Sequence, residues 1–187
     1  MTILSMTMAQ QSDPFGGAAE LDRSLMGIAN RDPDALEELY HGTSAAVYSF
    51  ALSILKNTHD AEDVLQDCYL KIYDGASSYR SSGKPMAWIL TITKNLCYQK
   101  LRERQKTADI PQEDWEPWLQ ANEGLSHEDK VMIQQCMDIL SDEERQIVVL
   151  HAVAGFRHRE IAELLSLPLS TVLSKYHRAI KKLRQYL

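Results

Sequence analysis

Arg157–Leu187, RHREIAELLSLPLSTVLSKYHRAIKKLRQYL, decides the fold. Ile161, Leu164 and Leu165 recur at the i, i+3, i+4 spacing of one helix face, with His158, Arg159 and Glu163 opposite. Pro168 biases Leu167 away from helical geometry, and Ser170 or Thr171 can cap the next helix through its hydroxyl. The chain thus turns within about four residues, as a helix-turn-helix requires. In the second helix Val172, Tyr176, Ala179, Ile180, Leu183 and Leu187 form the apolar stripe. Ser174, Lys175, His177, Arg178, Lys181, Lys182 and Arg184 lie opposite, and from Ser170 onward there are five Lys or Arg and no acid. A helix so charged suits the major groove, its first turns meeting base edges and its later residues phosphates. A solvated basic face is the plain alternative.

That local basicity stands against a whole-chain formal charge of -6. With 187 residues, 44% of them hydrophobic, the chain has room for one or two domains with real cores. No run approaches a membrane span and no signal-peptide pattern opens the chain, so a cytoplasmic protein is expected. Cys68, Cys97 and Cys136 sit far apart in apolar helical patterns and read as buried free thiols.

Working back to the start, residues 1–19 have no period and read as a flexible leader. Leu21, Leu25 and Ile28 make the first helical stripe, and Asp32-Pro33 reads as an N-cap with proline at the first helical position. Leu36, Leu39 and Tyr40 continue that helix and Gly42 is expected to end it, with Val47 to Leu55 forming the next. After a turn at Asn57-Thr58, Ala61, Val64, Leu65, Cys68 and Ile72 face one way and Asp60, Asp63, Gln66, Asp67 and Lys71 the other, and Gly75 closes the helix. Tyr79–Lys84 is a polar loop, and Pro85 opens a long helix in which Trp88 reads as core. Residues 105–125, with seven acids and no base from Asp109 to Asp129, read as a linker. Ser126–Asp129 and Ser141–Glu144 have the capping-box form. No strand pattern appears: an all-α protein of two small helical domains is expected, at residues 20–104 and 126–187.

Three stretches in this order resemble the extracytoplasmic-function sigma factors of the sigma-70 family. They are DAEDVLQDCYLKIY from Asp60, YRSSGKPMAWILTITKNLCYQKLR from Tyr79, and LSDEERQIVVLHAVAGFRHREIAELLSLPLSTVLSKYHRAIKKLR from Leu140. The resemblance covers about residues 20–187. It implies a subunit that binds bacterial core RNA polymerase, reads minus-35 promoter DNA, melts the minus-10 element and is held by an anti-sigma factor, with neither cofactor nor catalytic residue. Asp63, Gln66 and Asp67 would dock on the polymerase. Tyr79, Arg80, Lys84 and Asn95 would hold extruded minus-10 bases, with Lys100 and Arg102 near the backbone. Ser170, Thr171, Ser174, Lys175, His177, Arg178 and Lys181 would meet minus-35 DNA, Arg178 as a bidentate partner of guanine. His151 and His158 read as surface residues. Gln99 and Leu173 depart from the family's usual Asp and basic residue.

Two other readings share these residues. One is a stand-alone regulator using the same helix-turn-helix. The other is a metal-dependent hydrolase built on His59, Glu62 and Asp63, although one helix face supplies few converging ligands. The sequence has no phosphate-binding glycine loop, nucleophile elbow or HExxH pattern.

Overall fold

The computed structural model describes residues 17–81, 83–107 and 127–186; the expected leader up to residue 16, residues 108–125 of the expected linker, Ser126 of the first expected capping box, and Leu187 of the expected apolar stripe lie outside them. The described residues form eight α-helices, one 3-10 turn and no β-strand. In order they are α1 (Ala18–Ala29), α2 (Pro33–Leu55), α3 (Thr58–Gly75), the turn Ala76–Ser78, α4 (Pro85–Thr107), α5 (His127–Asp138), α6 (Asp142–Ala152), α7 (His158–Leu165) and α8 (Leu169–Tyr186). None of these helices is long and apolar enough to cross a membrane.

Local chemistry sets the helix starts. The Asp32 carboxylate accepts the Asp34 amide at 3.1 Å, with Pro33 behind it where a missing N–H costs nothing. Asn57 does the same for Asp60 at 3.0 Å. Ser141 and Glu144 close a reciprocal box: the Glu144 amide donates to the Ser141 hydroxyl, and the Ser141 amide donates to the Glu144 carboxylate.

The expected break at Gly42 does not occur, and α2 runs unbroken from Pro33 to Leu55. Glycine costs an interior helix position only about 1 kcal/mol against alanine. That is small beside the burial of Val47, Phe50, Ala51, Leu52 and Leu55 further along the same helix. Likewise α4 continues to Thr107, so the first residues of the expected linker are helical.

The helices α1, α3 and α4 all pack on α2, whose C-terminal half is buried nearly all round. Its polar residues are satisfied locally: Ser53 donates to the Phe50 carbonyl at 2.7 Å, and the Thr43 hydroxyl lies 2.6 Å from the Leu39 carbonyl and 2.7 Å from the Tyr69 hydroxyl. Cys68 and Cys97 are free and buried, Cys136 half-buried. Burial pushes the Cys68 thiol up to about 11, with the Thr93 hydroxyl 3.4 Å away.

The helices α5 to α8 form the second half, and it is docked on the first. Helix α6 lies on α2 and α7 on α4. Ile147, Leu150, Phe156, Ile161, Leu164 and Val172 belong to the same continuous buried core as Phe50 and Ile89. Around this apolar contact Lys56 pairs with Asp142 at 3.0 Å, Lys84 with Glu163 at 3.0 Å, and the Lys94 ammonium donates to the Leu164 carbonyl at 2.6 Å. Burial alone would raise the Asp142 carboxyl, but the bond and charge of Lys56, with Arg145, hold it below its usual range.

Two glycines test this packing. A Cβ on Gly42 meets only a Leu21 methyl at 4.0 Å, whereas one on Gly27 meets the Ala35 Cβ at 2.7 Å. Gly42→Ala is expected to raise stability by up to about 1 kcal/mol. Gly27→Ala is expected to lower it by about 1–3 kcal/mol through overpacking. Urea denaturation reads both, and shifts of the same sign would contradict the packing described.

Candidate docking face and nucleic-acid interface

The caps and apolar stripe of α3 leave one face outward. Asp63, Gln66 and Asp67 are exposed on it, as the spacing implies. The same face continues with Leu70 and Tyr73, large apolar side chains that are 64% and 51% exposed. Residues three and four apart on a helix are surface neighbours, so the face passes from acidic to apolar along its length. Leu70 and Tyr73 escaped the sequence reading because they look like two more hydrophobic residues of a helix whose buried stripe is Val64, Cys68 and Ile72.

Beneath this face lies an ion network. Lys100 reaches Asp60 at 3.0 Å and Asp63 at 2.5 Å, and Arg104 also pairs with Asp60. The structure therefore brings together Asp63 and Lys100, which the sequence reading assigned to different surfaces. Asp63 is 62% exposed, so its pair contributes little to stability.

On α4 the exposed stripe is Thr91, Asn95, Tyr98, Gln99 and Arg102. Tyr79, expected as the aromatic surface for an extruded base, is instead 9% exposed. Its hydroxyl donates to Asp22 and its ring leans on Trp88 at 4.9 Å. Burial, then the bond to Asp22, raises its pKa. The aromatic that faces outward beside Asn95 and Arg102 is Tyr98, 42% exposed. Arg80 is exposed and donates to the Ser77 and Tyr79 carbonyls at 3.3 and 3.1 Å. Lys84 is exposed but carries the Glu163 pair.

In the helix-turn-helix, Arg157 donates its amide to Glu160 at 2.8 Å to open α7, and Ser166 ends it in the left-handed region at φ 57°. Helix α8 begins at Leu169, earlier than either expected cap. The Thr171 and Val172 amides bond the Pro168 carbonyl at 2.9 and 3.1 Å, so Ser170 and Thr171 fall inside the first turn. Ser170, Leu173, Ser174, His177, Arg178, Lys181 and Arg184 make the exposed stripe, and Thr171 is half-buried. Lys175 is turned away from that stripe and pairs with Glu143 of α6 at 2.6 Å. Lys182 pairs with Glu144 at 2.6 Å, tying α8 to the capping box that starts α6.

His151 and His158, expected at the surface, are half-buried and packed together. Their rings stack at 4.7 Å, and Tyr176 meets both edge-on at 5.0 and 4.6 Å. His151 Nδ1 lies 2.8 Å from the Phe156 carbonyl, whereas His158 Nε2 is buried without a partner. Desolvation, then the nearby His151 and His177, lower the pKa of His158 below 6.5. Among the described residues no three His, Cys, Asp or Glu side chains are grouped to hold a metal ion.

A helix-turn-helix with a basic outer face, on the same chain as a helical unit whose α3 carries an acidic outer face, is the arrangement of a promoter-binding protein. Two family descriptions match it: Sigma-70 region 2 over residues 39–107, and Sigma-70, region 4 over residues 130–183. The chain belongs to the sigma-70 family, in its extracytoplasmic-function (ECF) group of RNA polymerase sigma factors. Such a subunit directs promoter-specific initiation by binding core polymerase, reading minus-35 DNA and melting the minus-10 element. The ECF RNA polymerase sigma factor SigK of Mycobacterium ulcerans (strain Agy99) is 26% identical over 181 residues, 93% of this chain and 97% of the relative. That of Mycobacterium sp. (strain KMS) is 29% identical over 175 residues, 90% and 91%.

Solved structures share the fold. CnrH in complex with the cytosolic domain of CnrY matches with TM-score 0.63 at 19% identity, covering 89% of this chain and 96% of that one. The sigma factor RpoE in complex with the anti-sigma factor NepR from Bartonella quintana matches with TM-score 0.66 at 23% identity, covering 80% and 94%.

The lowered pKa of His158 makes the second half sensitive to acid. Because the folded pKa is depressed, stability is complete above pH 6.5 and falls as pH drops through 6.5 toward the folded value, where the unfolded chain binds the proton first. The urea midpoint should therefore fall further between pH 7.5 and 6.0 in the native protein than in His158→Phe. An equal fall in both would remove His158 from the account.

Proposed function

We propose that the acidic-to-apolar face of α3 is the polymerase-docking surface, with Asp63, Gln66 and Asp67 supplying charge and Leu70 and Tyr73 the apolar area. The observation that carries this is the exposure of two large apolar side chains in register with three polar docking residues. Exposed apolar area next to charge on a protein surface marks a partner site. Arg80, Lys84, Asn95, Lys100 and Arg102 act at the minus-10 element, with Tyr98 rather than Tyr79 as the stacking surface for an extruded base. Ser170, Thr171, Ser174, His177, Arg178 and Lys181 act at the minus-35 element, and Lys175 positions α8 through Glu143. Docking and melting thus belong to residues 20–104 and duplex reading to residues 126–187, joined by residues 105–125. The protein works without catalysis of its own, in the cytoplasm.

Run-off transcription with bacterial core polymerase and a randomised-promoter library tests this reading. The native protein should yield new transcripts, and Asp63→Arg should abolish them. Asp67→Arg tests the same face without disturbing Lys100, and Leu70→Ala should weaken core binding about tenfold, the loss expected for an interface side chain worth more than 1 kcal/mol. Transcripts indifferent to all three substitutions would overturn the assignment of this face.

We further propose control by an anti-sigma protein that covers these surfaces. Both structural neighbours were solved in complex with another protein, an anti-sigma factor in one case. Purification from native cells in which the target genes are silent should bring down a second protein besides polymerase. Recovery of polymerase alone would count against such control.

A further inference from the structure

The outer stripe of α8 is polar or basic except at two positions. Leu173 lies within it, flanked by Ser170, Ser174 and His177, and Leu169 lies at its rim one turn earlier. Both are 38% exposed even though the second half of the molecule is docked on the first. The buried side of α8 is filled by Val172 and Ala179, with Tyr176 and Leu183 partly buried beside them, so the two exposed leucines are surplus to the core. They sit in the first turns of the reading helix, the part that meets base edges when such a helix enters the major groove.

Base edges in that groove present donors and acceptors, and thymine adds a C5-methyl group as an apolar partner. A leucine has no hydrogen bond to offer a base edge. Buried against an acceptor or amino group, it would strip water from that group without replacing it. Residues four apart on a helix have Cβ atoms about 5–6 Å apart, close to two base steps of 3.4 Å each. Lys181 and Arg184, two and three turns further along the same stripe, supply the positive charge that holds a phosphate backbone against this face.

We infer that Leu173, supported by Leu169, is a specificity-determining contact that selects thymine methyl groups within the minus-35 element. This rests on the reading of α8 as the minus-35 helix. Arg178, on the same stripe one turn from Ser174, remains suited to guanine, so the preferred element combines a guanine with neighbouring thymines on either strand.

The test uses full-length protein reconstituted with core polymerase. Minus-35 duplexes are first selected from a randomised library by transcription, then each thymine of the selected element is replaced singly by deoxyuridine, which removes the methyl group alone. At one or two adjacent positions the native holoenzyme should lose about fourfold in promoter affinity, the equilibrium equivalent of one buried methyl group. Leu173→Ala should be insensitive to deoxyuridine at one of those positions, and Leu173→Arg should move the selected base from thymine to guanine there. Leu169→Ala, tested alongside, identifies which leucine serves which position. Selected elements without thymine overturn the inference. So does indifference of the native holoenzyme to deoxyuridine, or full sensitivity retained in both alanine variants. Failure of every template to yield a transcript, with the protein folded, instead removes the polymerase reading and this inference with it.

Discussion

Burial of α2 is the constraint on which everything else in this molecule depends. A helix that is apolar on one side can rest on the surface of a domain, but one that is apolar all round has to be enclosed. From Ala46 to Leu55 the chain reads AVYSFALSIL, and every residue but Ser49 is buried. Helices α1, α3 and α4 cannot cover the whole circumference, and α6 of the other half takes the remaining side with Ile147 and Leu150. The docking of the two halves is therefore a continuation of the first half's core, and the ion pairs Lys56–Asp142 and Lys84–Glu163 only rim it.

That origin explains which features could be read from residues and which could not. The caps at Asp32 and Ser141 depend on chemistry within three residues, and each is found where spacing puts it. The helix-turn-helix was legible for the same reason, since proline, spacing and charge are local. Gly42 misled because a local penalty was judged without the core that outweighs it. Tyr79 misled because its destination is fixed by Asp22, 57 residues earlier, and no periodicity reports a partner at that distance. His158 reads as a surface residue because its neighbours in sequence are charged. Its neighbours in space are His151 and Tyr176, contributed by two other helices.

The candidate surfaces divide in the same way. Which helix faces carry charge was evident from spacing, and Asp63, Gln66, Asp67, Asn95, Arg102, Ser174, His177 and Arg178 are all exposed. Which apolar residues those faces also carry was less evident, because Leu70, Tyr73 and Tyr98 can be told from core residues only once the core is known to be full. The network around Asp60 adds a coupling that no linear pattern contains. Lys100 bridges α4 to Asp63 on α3, so a ligand that captures either charge alters the field felt by the other.

The shared core between the halves sets a limit on reach. Elements named for positions minus-35 and minus-10 lie about 25 base pairs apart, or about 85 Å at 3.4 Å per step. A compact chain of this length has a radius of gyration of only about 16 Å. One closed molecule cannot touch both elements. Reaching both would require the two halves to part. The apolar surface of Ile147, Leu150 and Phe156 that parting uncovers must then find a new neighbour. The work of stretching across a promoter would then fall to whatever partner offers that neighbour, because the closed molecule holds its own halves together through their shared core.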